Sequence, residues 1–406
     1  MILNVILVAT AVIVGLRLLS PKMRHSKSWQ ATVTPLASII GSGFLVVLPL
    51  LGHEIGNWAV LGMGGIVLLA YGIGIILRFN IEYAEPVLAR THPPGLLRVT
   101  EGLADISLGI AYTISVTFYI RLLAAFLLRG VGMAEAELPA RIVATAVLLL
   151  IGAVGIWRGL DGLEKLEEYA VSIKIAIIAT LIVGLLYFNV QSWAAGTPLT
   201  PIPISTDWWR TVRILAGMLL VVQGFETSRY LGEKYDPALR IKTMRWAQLI
   251  SGVIYIVFVG LATILLTDLP PQIDDTAIID LVKYIAPVLP SMLVIAALMS
   301  QFSAAVADTV GSGGLVLELF GKRISQTQSY VLIIGLAIVL TWAANIFQVI
   351  TLASRAFALY YLLETVIAWG TAYHLLQGRE RLVMMGKTAV MAVFLLFVVI
   401  FAVPAG

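Results

Sequence analysis

The chain has 406 residues, of which 60% are hydrophobic and 12% charged, with a formal net charge of +4. Its mean hydropathy is +0.97. Soluble domains carry about a quarter charged residues, so a soluble protein is excluded and a polytopic, all-α membrane protein is expected. There is no cysteine, which rules out disulfides, thiolate metal sites and a cysteine nucleophile.

Apolar runs of about 20 residues suffice to cross a bilayer. They fall at 2–20, 32–52, 57–78, 103–128, 138–157, 165–187, 211–230, 245–267, 289–318, 328–345, 347–375 and 386–403, which predicts twelve helices. The first run has no basic start and no small-residue cleavage site after it, so it reads as a retained span and not a signal peptide. Lys and Arg set the orientation. One set of loops, from Arg17, Lys22, Arg24 and Lys27 through to Arg379, Arg381 and Lys387, holds nineteen basic residues, and the alternate loops hold five. The rich side is expected to be cytoplasmic, with both termini outside, in the cytoplasmic (inner) membrane. The basic charges are largely committed to topology, and no nucleic-acid partner is expected. The loop "NVQSWAAGTPLTPIPISTDWWR" is Pro- and Trp-rich and is expected along the interface. "TDLPPQIDDTAIIDLVKY" holds a short helical pattern with Asp274 or Asp275 as its cap, expected to lie over the outer mouth as a lid.

The span 32–52 carries Gly41-Ser42-Gly43 at its centre, where a lipid-facing helix gains nothing from two glycines. The span 211–230 carries "VVQGFETSR", with Gly224 at mid-depth. These two interruptions lie five helices apart and point in opposite directions. They predict an inverted-topology repeat, each half opening with a discontinuous helix. Shifting by the 182 residues between Ser42 and Gly224 carries Lys174 to a place beside Arg355. The resulting divisions are an extra N-terminal helix with its basic loop (1–30), a first repeat (31–190), a second repeat (191–376) and a C-terminal helix (377–406). Backbone groups freed at mid-membrane are tolerated only where they line a cavity or hold a ligand. Half-helix ends there offer positive charge from N-termini and negative charge from C-termini, a match for a solute with one anionic and one cationic end. Close helix packing is the alternative use of the glycines.

At these residues the chain resembles the amino acid–polyamine–organocation (APC) superfamily, which has the LeuT-type fold. "IIGSGF" is similar to that group's glycine-serine-glycine signature. "GFETSRYLGEKYDPALRIKTMRWAQLISGVIY" is similar to its motif on the second broken helix. The resemblance spans about 31–403 and implies secondary active transport of a small solute, usually an amino acid or amine, by alternating access. The implied substrate-binding positions are Ile40, Gly41, Ser42, Gly43, Gln223, Gly224, Phe225 and Glu226, with Tyr119 and Arg121 beside them. The extra first helix, and Gln223 ahead of the glycine, depart from the family pattern.

An ionisable group inside a span costs about 2.5–3.5 kcal/mol at its centre. Lys174 and Asp308 fall at nearly the same depth as Ser42. Their spans, with that of Ser42, converge in the resembling fold where sodium-coupled members hold an ion. Lys174 is therefore expected to replace sodium with its ammonium and to couple proton movement to transport; a permanent Lys174–Asp308 salt bridge is the alternative. Ser300 and Ser303, one turn apart, are the candidate ligands if sodium is the coupling ion instead. Arg121 and Arg355 are expected to flank the outer vestibule, where two guanidiniums bind a carboxylate, pair with Glu54 as a gate, or snorkel to the headgroups. Glu364, deeper on the helix of Arg355, is grouped with Arg355 and Glu54 as a gate residue or partners a basic group internally. Glu226 is expected to contact substrate, gate the inner path or satisfy freed backbone. Phe118, Tyr119, Tyr360 and Tyr361 are more commonly packing than substrate lids. No cofactor is expected, and His25, His53, His92 and His374 share no metal-ligand spacing. An enzyme is accordingly disfavoured, and a solute sensor on the transporter fold is the rival from another class.

Overall fold

Several helix starts are written in side-chain caps. In the computed structural model, which describes residues 2–41, 43–92, 94–133, 137–196, 202, 205–232, 234–268, 277–320, 323–344 and 346–403, Ser26, Asp207, Asp236 and Ser325 each accept a bond from a backbone N–H three residues on. Ser325 completes a reciprocal capping box with Gln328, and Pro237 follows Asp236 at the first helical position, where its missing N–H costs nothing.

The described residues form helices and no strands. In chain order, α1 (Ile2–Leu18) and α2 (Pro21–Arg24) precede α3 (Lys27–Ile39) and α4 (Gly43–Ile55). α5 (Ala59–Phe79) runs through a π-helical turn, Asn80–Ala84, into α6 (Glu85–Leu88). α7 (Gly95–Gly130) is followed by α8 (Glu137–Ala194), which Gly159, at φ 58 and ψ −153, divides into the arms Glu137–Gly159 and Asp161–Ala194. α9 (Trp208–Gly217) tightens into 3₁₀ turns at Met218–Val222 and Phe225–Leu231. α10 (Pro237–Ala262), the short α11 (Ala277–Leu281), α12 (Leu289–Phe320), α13 (Gln326–Ala343), α14 (Ile346–Leu375) and α15 (Gly378–Phe401) complete the chain.

Eight helical runs among the described residues are long and apolar enough to cross a bilayer; α1 is apolar but shorter. The expected spans at 2–20, 211–230 and 347–375 fall on helices outside that set of eight, and those at 32–52 and 57–78 merge into one run, Lys27–Leu88. Two helices outrun their apolar runs: α7 begins at Gly95 and the second arm of α8 reaches Ala194. Polar helix ends are invisible to a hydropathy reading. The lid's expected cap, Asp274 or Asp275, lies outside the described residues; α11 just after it packs on α4 and α12.

α7 is the central post. At about 1.5 Å per residue its 36 residues reach about 54 Å, and it packs along α14 and α12. α12 also packs on α8 and α3, and α10 on α3 and α5. The two interrupted helices, α3–α4 and α9 with its 3₁₀ turns, are thereby held inside a cage of continuous ones.

Candidate functional site

Both interruptions are present. α3 ends at Ile39 and α4 begins at Gly43. α9 loses its α-pitch at Gly217, and Gln223 and Gly224 form no helix, with Gly224 at φ 119. Ser42 lies outside the described residues. The two breaks face each other directly. A side chain at Gly43 would put its Cβ 2.7 Å from the Val221 Cα, and one at Gly224 would reach within 2.3 Å of the Ser38 Oγ and 2.7 Å of the Ile39 nitrogen. Each glycine thus permits the other break's backbone to approach, and no larger residue fits.

Freed backbone groups find side-chain partners. The Tyr255 hydroxyl, from α10, lies 3.0 Å from the Ile39 carbonyl oxygen and 2.9 Å from that of Val221, one on each break. Ser300 Oγ sits 2.7 Å from the Ile40 oxygen and 2.9 Å from that of Gly41. The Gly224 N–H donates to Glu226 Oε2 at 2.9 Å, and the Tyr361 hydroxyl donates to the same oxygen at 2.6 Å. Phe225 stacks on Tyr361 with ring centroids 5.5 Å apart. Gln223 Nε2 donates to the Tyr119 hydroxyl at 3.0 Å, and the Tyr119 ring borders Gly41. On this geometry Glu226 satisfies the backbone of its own break.

Lys174 is fully buried, and its ammonium donates to Ala37 O at 2.8 Å, Ile40 O at 2.5 Å and Ser303 Oγ at 2.8 Å. All three N–H bonds are used, two of them on the carbonyl end of α3. The alternative salt bridge with Asp308 is not formed; Asp308 Oδ1 accepts instead from Ser38 Oγ at 2.8 Å. Ser300 and Ser303 do not converge on a separate ion. Ser303 accepts from Lys174 and donates to the Ser300 oxygen, so the ammonium occupies the ground these hydroxyls would offer a cation.

Near the breaks, Asp308 Oδ2 and Glu226 Oε1 are buried carboxylate oxygens without a hydrogen-bond partner. Both residues are 0% exposed. The Tyr112 hydroxyl and Gln223 Oε1 are likewise buried and unpartnered. Buried polar atoms of this kind normally find partners; these four belong to α7, α12 and the second break.

The expected outer gate is not assembled. Arg121 is buried, but it turns to the C-terminal end of α13, donating to Thr341 O and Ala344 O and pairing with Glu137 at 2.7 Å. Arg355 lies exposed on α14. Glu54 pairs with neither; its Oε2 accepts from Thr211 Oγ1 at 3.0 Å. Depth along a helix was legible, but the direction each arginine faces was not.

At the other end of the bundle stands an unforeseen cluster. Arg229, just past the second break, pairs with Glu364 and with Glu101 at 2.5 Å, and lies 3.8 Å from Glu85. Arg240 binds Glu85 through two hydrogen bonds and donates to the Arg229 oxygen at 2.6 Å. Asn80, in the π-turn, donates to the Glu364 side chain and backbone. Glu364 therefore does partner a buried basic residue, and the sequence signal for that residue was Arg229 sitting five positions after the glycine.

Residues 21–402 match the family described as APC superfamily transporter. The chain belongs to this superfamily. It is 43% identical over 387 residues to an uncharacterized protein of Aquifex aeolicus (strain VF5), covering 94% of this chain and 93% of that one. In fold the transporter is similar to Mhp1, a nucleobase-cation-symport-1 family transporter in a closed conformation with bromovinylhydantoin bound. The TM-score is 0.57 and the identity 11%, over 92% of this chain and 91% of Mhp1. As a member of a transporter family the chain is not an enzyme, and its apolar helices fit an integral membrane protein.

Proposed function

We propose that this transporter carries a small zwitterionic solute, an amino acid or a close relative, across the cytoplasmic membrane by alternating access, with a proton as coupling ion. In this reading twelve helices cross the membrane, ten of them form the inverted repeat, and both termini lie outside. The carrying observation is the pair of facing breaks, Ile39, Ile40, Gln223 and Gly224 buried and Val221 half-buried, held by side chains from neighbouring helices. The start of α4 offers free N–H groups and positive dipole to a carboxylate. The unpartnered oxygens of Glu226 and Asp308 offer acceptors to an ammonium. The preference for a carboxylate now rests on α4, since Arg121 and Arg355 face elsewhere.

Lys174 is the coupling residue in this proposal. Protonated, it holds α3 by Ala37 O and Ile40 O; neutral, it gives up the charge-assisted part of that hold, and α3 is released. Sodium at Ser300 and Ser303 is the weaker reading, because the ammonium already engages Ser303. The test is uptake of a radiolabelled amino-acid mixture into proteoliposomes under an inward proton gradient. Gradient-driven accumulation, lost in Lys174→Ala, is expected. Accumulation that survives Lys174→Ala would overturn the coupling role, and none under either a proton or a sodium gradient would overturn the transport reading.

A further inference from the structure

Between Lys174 and the basic end of the bundle lies a second buried charge that the transport reading leaves unused. Glu167 is 0% exposed. It sits seven residues before Lys174 on the same arm of α8, two helical turns or about 10 Å away on one face. Thr34 Oγ1, on α3, donates to Glu167 Oε2 at 3.2 Å. Three residues further along α3, Ala37 O accepts from Lys174. α3 and α8 thus touch at two polar rungs, one at each charge.

The space between the rungs is apolar. Val33 and Ala37 from α3, Val171 from α8 and Ala307 from α12 form a small separate apolar cluster, backed by Trp29 and Ile175. Just beyond it opens a cavity of about 280 Å³, lined in part by Val33, Thr34, Lys165 and Glu168. The cavity reaches Thr34, a hydrogen-bond partner of Glu167, and the four-residue apolar cluster adjoins it at Val33.

A buried carboxylate is expensive at this depth. We infer that Glu167 receives the proton of Lys174 on its way to the cytoplasmic side. When α3 tilts away, it takes Val33 and Ala37 out of the apolar layer and lifts Ala37 O and Ile40 O off the ammonium. One Nζ–H bond of Lys174 breaks, an O–H bond forms on Glu167 through intervening water, and the proton then passes to water in the cavity. Lys174 is left neutral and Glu167 returns to carboxylate, so charge balances. The apolar layer prevents the same leak while α3 is seated.

Other charges line the cavity beside this helix or stand on neighbouring ones. Asp161, Lys165 and Glu168 lie on its own helix, and Arg24 and His25 come from α2 and the turn after it. Lys234 follows the second break, and Asp308 stands on α12. Arg24 is paired with Glu168 at 3.3 Å and Lys234 with Asp161 at 3.7 Å.

The inference rests on proton coupling through Lys174, and the experiment separates the two. Proteoliposomes carrying wild type, Lys174→Ala, Glu167→Gln or Glu167→Asp are assayed for proton-driven net uptake of the amino-acid mixture, with an internal pH dye, and for exchange against the same mixture preloaded inside. Net turnover requires proton release; exchange does not. Glu167→Gln is expected to lower net uptake and dye response about a hundredfold and flatten their pH profile, with exchange near wild type. Glu167→Asp is expected to restore part of the net rate. Wild-type net uptake and pH profile in Glu167→Gln would overturn the inference, and so would equal loss of net uptake and exchange, which marks a structural role. If Lys174→Ala keeps wild-type proton-driven uptake, the coupling reading falls and this inference with it.

Discussion

Replacing Gly224 by Ala tests the contact between the two breaks most directly. At φ 119 the backbone is outside the range of residues with a Cβ, which costs about 1–3 kcal/mol. The new Cβ would stand 2.3 Å from Ser38 Oγ, 2.5 Å from Ser38 Cβ and 2.7 Å from the Ile39 nitrogen, and overpacking of that kind costs about another 1–3 kcal/mol. The total, about 2–6 kcal/mol, is large against the stability of about 5–15 kcal/mol that folded proteins possess. In detergent, a melting temperature several degrees lower is expected, together with loss of uptake. Ser38→Gly in the same chain removes two of the three contacts but not the backbone strain. A double-mutant cycle should therefore show coupling of about 1–3 kcal/mol between the two positions. A wild-type melting temperature for Gly224→Ala, or additive effects of the two substitutions, would refute the packing geometry.

Tyr255→Phe removes the hydroxyl that the Ile39 and Val221 carbonyls share and should destabilise the protein by about 1–3 kcal/mol, read as a lower melting temperature. Arg229→Met leaves Glu364 buried without its cation and should cost about 3–5 kcal/mol; adding Glu364→Gln should recover a good part, by the same measurement. Arg355→Ala should leave stability within about 0.5 kcal/mol and uptake unchanged, and a marked loss of uptake would restore that residue to the transport path.

The breaks were legible because glycines in the middle of an apolar run are a local signal. The extent of the second one was not, since nothing in "MLLVV" separates 3₁₀ from α pitch; that tightening is imposed where Met218–Val222 meets α4 and α5. Lys174, Asp308 and Glu364 announced themselves as charges in spans, with depth counted from helix ends. Their partners are tertiary facts. Lys174 chose α3 carbonyls over Asp308, and Arg121 chose the end of α13, because helix position fixes height but leaves azimuth to packing. Ser38 and Tyr255 gave no signal at all: a serine and a tyrosine in apolar helices acquire meaning only once the opposite break is seated on them. Glu167 was passed over within the charged run "GLDGLEKLEEY", whose members look alike until burial separates Glu167 and Glu168 from the exposed Asp161 and Lys165.

The cluster around Arg229 carries more acid than base: Glu85, Glu101 and Glu364, with Asp105 bonded by Tyr230 alongside, against Arg229 and Arg240. Sealed, the excess is muffled by close pairing. Parted, it would line the mouth with surplus negative potential, a fringe that retards departing cations and hastens anions. Raising ionic strength should then blunt that bias, and a zwitterion, with no net charge, would slip through largely indifferent to it.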